Sequence, residues 1–274
     1  MASPGPVQTS TSSTPGNAPA GTIDSSTYAT VKSRMAAAIL VVGLLAGFTS
    51  GASTVRHLEA DAADPDAFLA TGGASAATAQ TISGASLNGA TGTATLRQAR
   101  NVTLTFSSST DWDATTAVVT GKGVDGEHTT ESLSIPNNGN ATVTGSVLFT
   151  SVTSIYVPAQ TGTGGTFTAG FGSMLGPINA AAAGVVAFEN TRASANYAVA
   201  EMAPVVSQGR VWVDSETAAF EGAPVYVRMV AGEGESLGAV RHTPDSTDCA
   251  LLRGARFAKT IAAAGRTLVE LNLP

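Results

Sequence analysis

Apolar and polar side chains alternate most clearly between Val205 and Val230, VVSQGRVWVDSETAAFEGAPVYVRMV. A period of two sends successive side chains to opposite faces, so Val205 to Val213 and Pro224 to Val230 read as half-buried strands. In the first run Val211 and Val213 share one face, and Arg210 and Trp212 share the other. The segment between the runs is polar except for Phe220, and Glu221-Gly222-Ala223-Pro224 reads as the turn that launches the second strand. The two runs are expected to form an antiparallel pair. A lone pair is marginal in water, so it requires further strands or a partner chain to close its apolar face.

From Thr71 to Pro177 the pattern changes to short apolar runs in a Thr/Ser/Gly background. Strands are predicted at residues 93–96, 101–106, 114–120, 131–135, 141–149, 154–157 and 167–171, separated by turn signals at Asn88-Gly89, Asp125-Gly126, Asn138-Gly139 and Thr163-Gly164-Gly165. Such spacing with no helical period argues for a β-sandwich, and strand count alone makes it immunoglobulin-like. Asp125-Gly126 predicts a type I′ hairpin turn. Gly172 to Asn179 reads as a linker, after which Gly184 to Phe188 resumes an apolar run that could continue a sheet left off near residue 70. The predicted organisation is therefore an arm over residues 1–34, a discontinuous β domain over 35–70 plus 178–274, and a sandwich inserted at 71–177.

Residues 1–30 are Ser, Thr, Pro, Gly and Ala with few large apolar groups, too little to offset the entropy of ordering, so the segment reads as an extended arm that needs a neighbour to hold it. Ile23, Tyr28 and Val31 are its predicted anchors. Met35 to Phe48, MAAAILVVGLLAGF, has the basic flank and apolar run of a signal or membrane segment. It lies behind a polar arm, and its roughly fourteen residues fall short of the twenty or so that a helix needs to span a bilayer. A buried strand pair bent at Gly43 or Gly47, or a short buried helix, is the expectation, with no membrane partner.

Composition narrows the function. Only 12% of residues are charged, about half the usual share, which suits surfaces that meet other proteins. A net charge of −6 without a concentrated Lys/Arg face argues against nucleic acid. Arg253, Arg256 and Lys259 form the densest basic cluster, either ordinary solvation or a contact for an acidic surface. Cys249 is the single cysteine, so no intrachain disulfide exists; it reads as a small buried apolar group. His57, His128 and His242 are scattered, and no nucleophile elbow, phosphate loop, dinucleotide fingerprint or zinc motif is present. No catalytic, cofactor-binding or metal-ligating residue is predicted, and no cofactor. Asp111, Asp113, Asp125 and Glu127 offer carboxylates across a hairpin, short of the six or more oxygens of a calcium site. Trp112, between two aspartates, is either a core plug or an exposed aromatic for sugar or protein contact.

Gly209 to Val213, Gly222 to Arg228, Ala255 to Phe257 and Leu268 to Leu271 follow the order Gly-Arg-Val-Trp-Val, acidic spacer, Gly-x-Pro-Val-Tyr-Val-Arg, Arg-x-Phe, Leu-Val-Glu-Leu. In this the chain resembles the structural cement, or capsid decoration, proteins of tailed bacteriophages. The resemblance covers about the last ninety residues, and residues 20 to 70 more loosely. It implies an all-β protein with a small β-barrel-like or β-tulip-like capsid-binding domain, here with an inserted sandwich. It further implies a non-enzymatic virion protein on the outer capsid surface, assembled in the host cytoplasm. The implied partners are the major capsid protein and further copies of itself in a homotrimer. Ile23, Tyr28, Val31, Arg210, Trp212 and Arg228 are then the expected contacts with capsid or neighbour. A surface adhesin or carbohydrate-binding sandwich using Trp112 is the alternative.

Overall fold

The computed structural model describes residues 9–10, 23–24, 29–36, 40–41, 44–48, 54–87, 94–108, 110–178, 182–187, 196–245 and 247–274. The chain is all-β, as predicted. It divides into two compact units: Met1–Ala60 with Pro177–Pro274, and the contiguous Asp61–Gly176.

The first stretch of the discontinuous unit supplies β1 (Thr9–Ser10), β2 (Ile23–Asp24), β3 (Thr30–Ala36), β4 (Leu40–Val41), β5 (Leu45–Phe48) and β6 (Thr54–His57). The apolar run after Met35 is thus built of strands where it is described, and no described helix is long and apolar enough to cross a membrane. The contiguous unit holds β7 (Asp64–Ala74), β8 (Gln80–Ser83), β9 (Ala94–Ser107), β10 (Thr116–Gly123), β11 (His128–Ser134), β12 (Ala141–Val157) and β13 (Thr166–Leu175). The second stretch of the discontinuous unit adds β14 (Ala182–Val186), β15 (Asn196–Tyr197), β16 (Met202–Ser215), β17 (Pro224–Arg228), β18 (Val240–Arg241), β19 (Cys249–Phe257) and β20 (Gly265–Asn272).

β16 organises the discontinuous unit. Its first half pairs with β3 on one edge and β14 on the other, and β14, β5, β6 and β3 pair in turn, which closes a ring. Its second half pairs with β20, and β20, β19, β17 and β18 lead back to β16 through Ser215 and Val240, which closes a second ring. The expected pair of β16 with β17 is therefore not made directly. β18, too short and polar in context to register as a strand in the sequence, lies between them. With both edges bonded and both faces covered, Ala203 to Ser207 are all buried, as are Val211 to Val213, and the exposed positions are Gln208 and Asp214. The first ring closes over Ala36, Ala46, Val55, Ala183, Val186, Tyr197, Ala203 and Val205. Into the second point Val211, Val213, Val225, Val227, Phe257 and Val269, each at most 1% exposed. Every such side chain contributes about 1.5–3 kcal/mol of transfer free energy.

In the contiguous unit the seven strands form one antiparallel sheet in the order β11-β10-β12-β9-β13-β7, with β8 also on β12. The strands predicted at 93–96 and 101–106 are one strand, β9, and those at 141–149 and 154–157 are one strand, β12. Each runs through register shifts, which bend the sheet over its own core of Val102, Leu104, Phe106, Trp112, Phe149 and Phe167. At the shift in β12, Ser146 N–H (2.6 Å) and Val147 N–H (3.0 Å) donate to the Glu131 carboxylate, which replaces the ladder partners they lack. The β10–β11 hairpin is not type I′. Only Gly126 has positive φ (82°), and Gly123 both accepts from Gly126 N–H and donates to Glu127 O, the three-residue loop with a glycine bulge.

Side chains of β9 hold the first and last residues of this unit. Buried Arg100 donates to Asp61 O (2.9 Å) and twice to Gly172 O (3.0 and 2.7 Å), with its guanidinium 5.0 Å from the Phe171 ring centre. Burial lowers its pKa, an effect that Asp61 partly offsets. Gln98 Nε2 donates to Gly176 O at 2.7 Å.

Candidate functional site

Because β16 and β20 run antiparallel in register, residues two apart on β16 face their partners squarely. Arg210 lies opposite Glu270, Trp212 opposite Leu268, and Asp214 opposite Arg266. Each pair is complementary: Arg210 Nε donates to Glu270 (3.1 Å), Trp212 packs on Leu268, and Arg266 grips Asp214 with two bonds (2.8 and 3.0 Å). β19 sets Arg256 on the far side of Glu270, donating at 2.8 Å. One carboxylate therefore joins two guanidinium groups across three strands.

The Glu270 carboxyl is held below its usual range, chiefly by the Arg256 hydrogen bond; burial opposes the shift and Arg210 reinforces it. A carboxylate depressed in the folded state stabilises the fold above its ordinary pKa of 4.5, and that contribution disappears as pH falls through the lowered value. Wild type is therefore expected to melt above Glu270→Gln at neutral pH by the equivalent of up to about 1 kcal/mol, with the gap shrinking well below pH 4.5. Melting curves at both pH values decide this, and a gap that persists in acid contradicts it.

Beside this row Gly254, Ala255, Arg256, Glu270 and Asn272 line an open groove of about 340 Å³. Its floor requires glycine: Gly254 has φ 82°, and a β-carbon there would sit 2.6 Å from Asn272 O.

Trp212 was expected to meet a neighbour, but it is fully buried against Leu268 and Ala258, with Lys259 Nζ 5.7 Å from its ring centre. Among the described residues its indole N–H finds no hydrogen-bond partner. Arg228, likewise expected at a contact, is 3% exposed and lies in a cage of carboxylates. It binds Glu216 with two bonds (2.7 and 2.9 Å), Glu235 at 2.7 Å and, more distantly, Asp248 at 3.8 Å. The Glu216 bond raises its pKa against the opposing effect of burial. Both side chains are covered within the chain itself, for the same reason: strand alternation identifies a shared face, but not what covers it.

Trp112 resolves as the core plug. It is 0% exposed, edge-on to Phe106 at 4.9 Å and to Phe167 at 6.0 Å, so the aromatic on which a sugar-binding reading stood is not at the surface. Its aspartate neighbours tie the loops over it: Asp111 accepts from Ser108 Oγ (2.5 Å), and Asp113 from Thr161 N–H and Oγ1 (both 2.6 Å). The Thr161 bonds lower the Asp113 pKa. Those aspartates do not converge with Asp125 and Glu127, and among the described residues no three His, Cys, Asp or Glu side chains group as metal ligands.

Ile23 is placed by its backbone opposite Val211, on the edge of β16. Val31 is half-buried opposite Val206, and Arg210 is partly exposed in the charged row. Tyr28 lies outside the described residues. Cys249 is buried, and burial pushes its thiol pKa up despite the nearby Arg228 and Arg241, so it is not poised as a nucleophile. Sequence reasoning missed Phe220, 56% exposed and 5.4 Å from the His242 ring in the β16–β17 connection. Its signal was legible as the one large apolar residue in a polar spacer.

The described residues thus combine two closed β rings, a charged row along β16, β20 and β19, and the exposed aromatic Phe220. The chain belongs to the structural cement protein family (E217 gp24/Pam3 gp6), whose family model matches residues 113–273, more than half its length. It is thus a phage structural protein of the virion capsid. The match extends beyond the last ninety residues into the contiguous unit, where it includes β10 to β13. No match was found among curated proteins.

Proposed function

We propose that the protein binds the outside of a phage capsid and cements neighbouring capsomers without catalysis, with the major capsid protein as partner and a homotrimer as the acting form, assembled in the host cytoplasm. The observation that carries this reading is how the arm meets β16. Among the described residues, β2 is bonded to it through Ile23 opposite Val211, and β1 pairs with β2. A short arm strand added to a sheet edge is the kind of element that the same strand of a neighbour replaces, and main-chain pairing of that kind links subunits without any preformed cavity. Several such links per capsid add through effective concentration. The contiguous unit is read as a domain inserted into the capsid-binding one, supported by the way β9 side chains hold both its first and its last residues.

Deleting residues 1–28 leaves β3 whole, and the truncated protein is expected to stay folded and soluble while losing capsid binding. Co-sedimentation with capsids assembled without the protein measures it. Undiminished pelleting of the truncated chain would remove the arm from the mechanism.

A further inference from the structure

On the row along β16, β20 and β19, Arg210 and Arg256 share the single carboxylate of Glu270. Two guanidinium groups thus stand against one carboxylate, on a chain of formal charge −6. Glu270 uses one oxygen for each guanidinium: Arg210 reaches it through Nε and Arg256 through a single Nη. A guanidinium has five N–H donors in a planar fork that matches a carboxylate two-to-two. Both Nη of Arg210, and Nε and the other Nη of Arg256, make no hydrogen bond among the described residues. The Arg256 side chain is 62% exposed and that of Arg210 37%, so these donors are open to a partner. Glu270 holds the two forks at a fixed spacing, which limits the entropy lost when they bind. The groove next to Arg256, floored by Gly254 and Ala255, lets a partner's chain come close.

We propose that this row is the face by which the protein grips the capsid, and that it takes an acidic protein surface whose Asp or Glu carboxylates dock on Arg210 and Arg256. The inference rests on the cement reading above and adds the location and chemistry of the contact. Two arginines around one carboxylate suit a few carboxylates of a partner better than a phosphate backbone, which demands a denser cationic face. Partial neutralisation by Asp214 and Glu270 also makes the face selective, because a partner must place its carboxylates over the free donors and away from the two resident ones.

The test is co-sedimentation of the full chain with capsids assembled without it, at low and at physiological salt, beside sedimentation velocity of the protein alone. Wild type is expected to pellet, less so as salt rises. Arg210→Gln/Arg256→Gln is expected to bind at least about tenfold more weakly and to lose most of the salt dependence. The double Lys variant, which keeps charge but not the fork, should fall between them. Lys122→Gln, which removes an exposed cation of the contiguous unit, should match wild type. Circular dichroism checks folding, and if the double variant is unfolded the exposed Arg256→Gln alone carries the comparison. Wild type that pellets beside an equally pelleting double variant overturns this inference and leaves the cement reading intact. Wild type that does not pellet overturns both. A double variant that keeps capsid binding but loses wild-type self-association assigns the row to a second copy of the chain, which also overturns the proposal.

Discussion

Trp112→Ala is expected to lower the stability of the contiguous unit by about 3–5 kcal/mol, the usual cost of emptying a large aromatic site in a core that cannot collapse around it. Collapse is blocked on every side. Phe106 and Phe167 already stack on each other at 5.7 Å, and the backbone carbonyl of Trp112 receives the Asn138 N–H at 2.9 Å. The loop across from it is held by Asp113 and Thr161, and a β-carbon at Gly165 would lie 2.7 Å from the indole nitrogen, so nothing bulky stands ready to fill the space. Since small domains are stable by only about 5–15 kcal/mol, much of the unit's margin would go. Urea unfolding, read with hydrogen exchange along β9 and β13, tests this. A loss below about 1 kcal/mol would mean that the ring is not the keystone its burial suggests.

Arg228→Ala is the other large effect, about 3 kcal/mol or more, localised to the second ring. The loss exceeds that of an ordinary surface pair because the arginine side chain is 3% exposed and Glu216 21%, whereas Glu235 and Asp248, at 40% and 41%, remain partly hydrated. Removing the cation leaves three carboxylates facing one another beside Gly238 N–H and Ala239 O, which bond the arginine's own backbone. Arg228→Lys should recover part of the loss, since charge returns but the two-bond grip on Glu216 does not. Melting temperatures of the three proteins at neutral pH give the order wild type, Lys, Ala. Equal melting of the Lys and Ala variants would show that packing of the stem, and not charge, holds the site.

Much of this fold was legible in the chain because strand alternation and turn chemistry are local. Val211 and Val213 point inward and Arg210 and Trp212 share the opposite face, as the period of two requires. The all-β class and the family followed from such patterns. What was not legible depends on distant partners. β18 has two residues, and nothing within it announces that it separates β16 from β17. The fusion of predicted strands into β9 and β12 follows from irregularities that keep pairing across polar residues, which a sequence pattern reads as breaks. The depth of Trp112 and Trp212 was hidden for the same reason, since burial is decided by loops and strands remote in sequence. The Arg210–Glu270–Arg256 row needed three strands aligned in register, although each residue sat in a segment already marked by the family resemblance.

The sharing of β16 by two rings sets a timetable for synthesis. β3 to β6 have left the ribosome by His57, yet the strand that completes their ring begins at Met202, about 145 residues later. At translation rates of about 5–20 residues per second that is a wait on the order of ten seconds, with the apolar strands β4 and β5 unsatisfied. The contiguous unit fills the interval. Asp61–Gly176 needs no later segment for its sheet, and once folded it brings its two ends to neighbouring side chains of β9, so the first ring's remaining loop closes at a lower entropic cost than an open chain of that length. The unit between the two halves is thus expected to act as a folding clamp that brings β14 and β16 to the waiting strands.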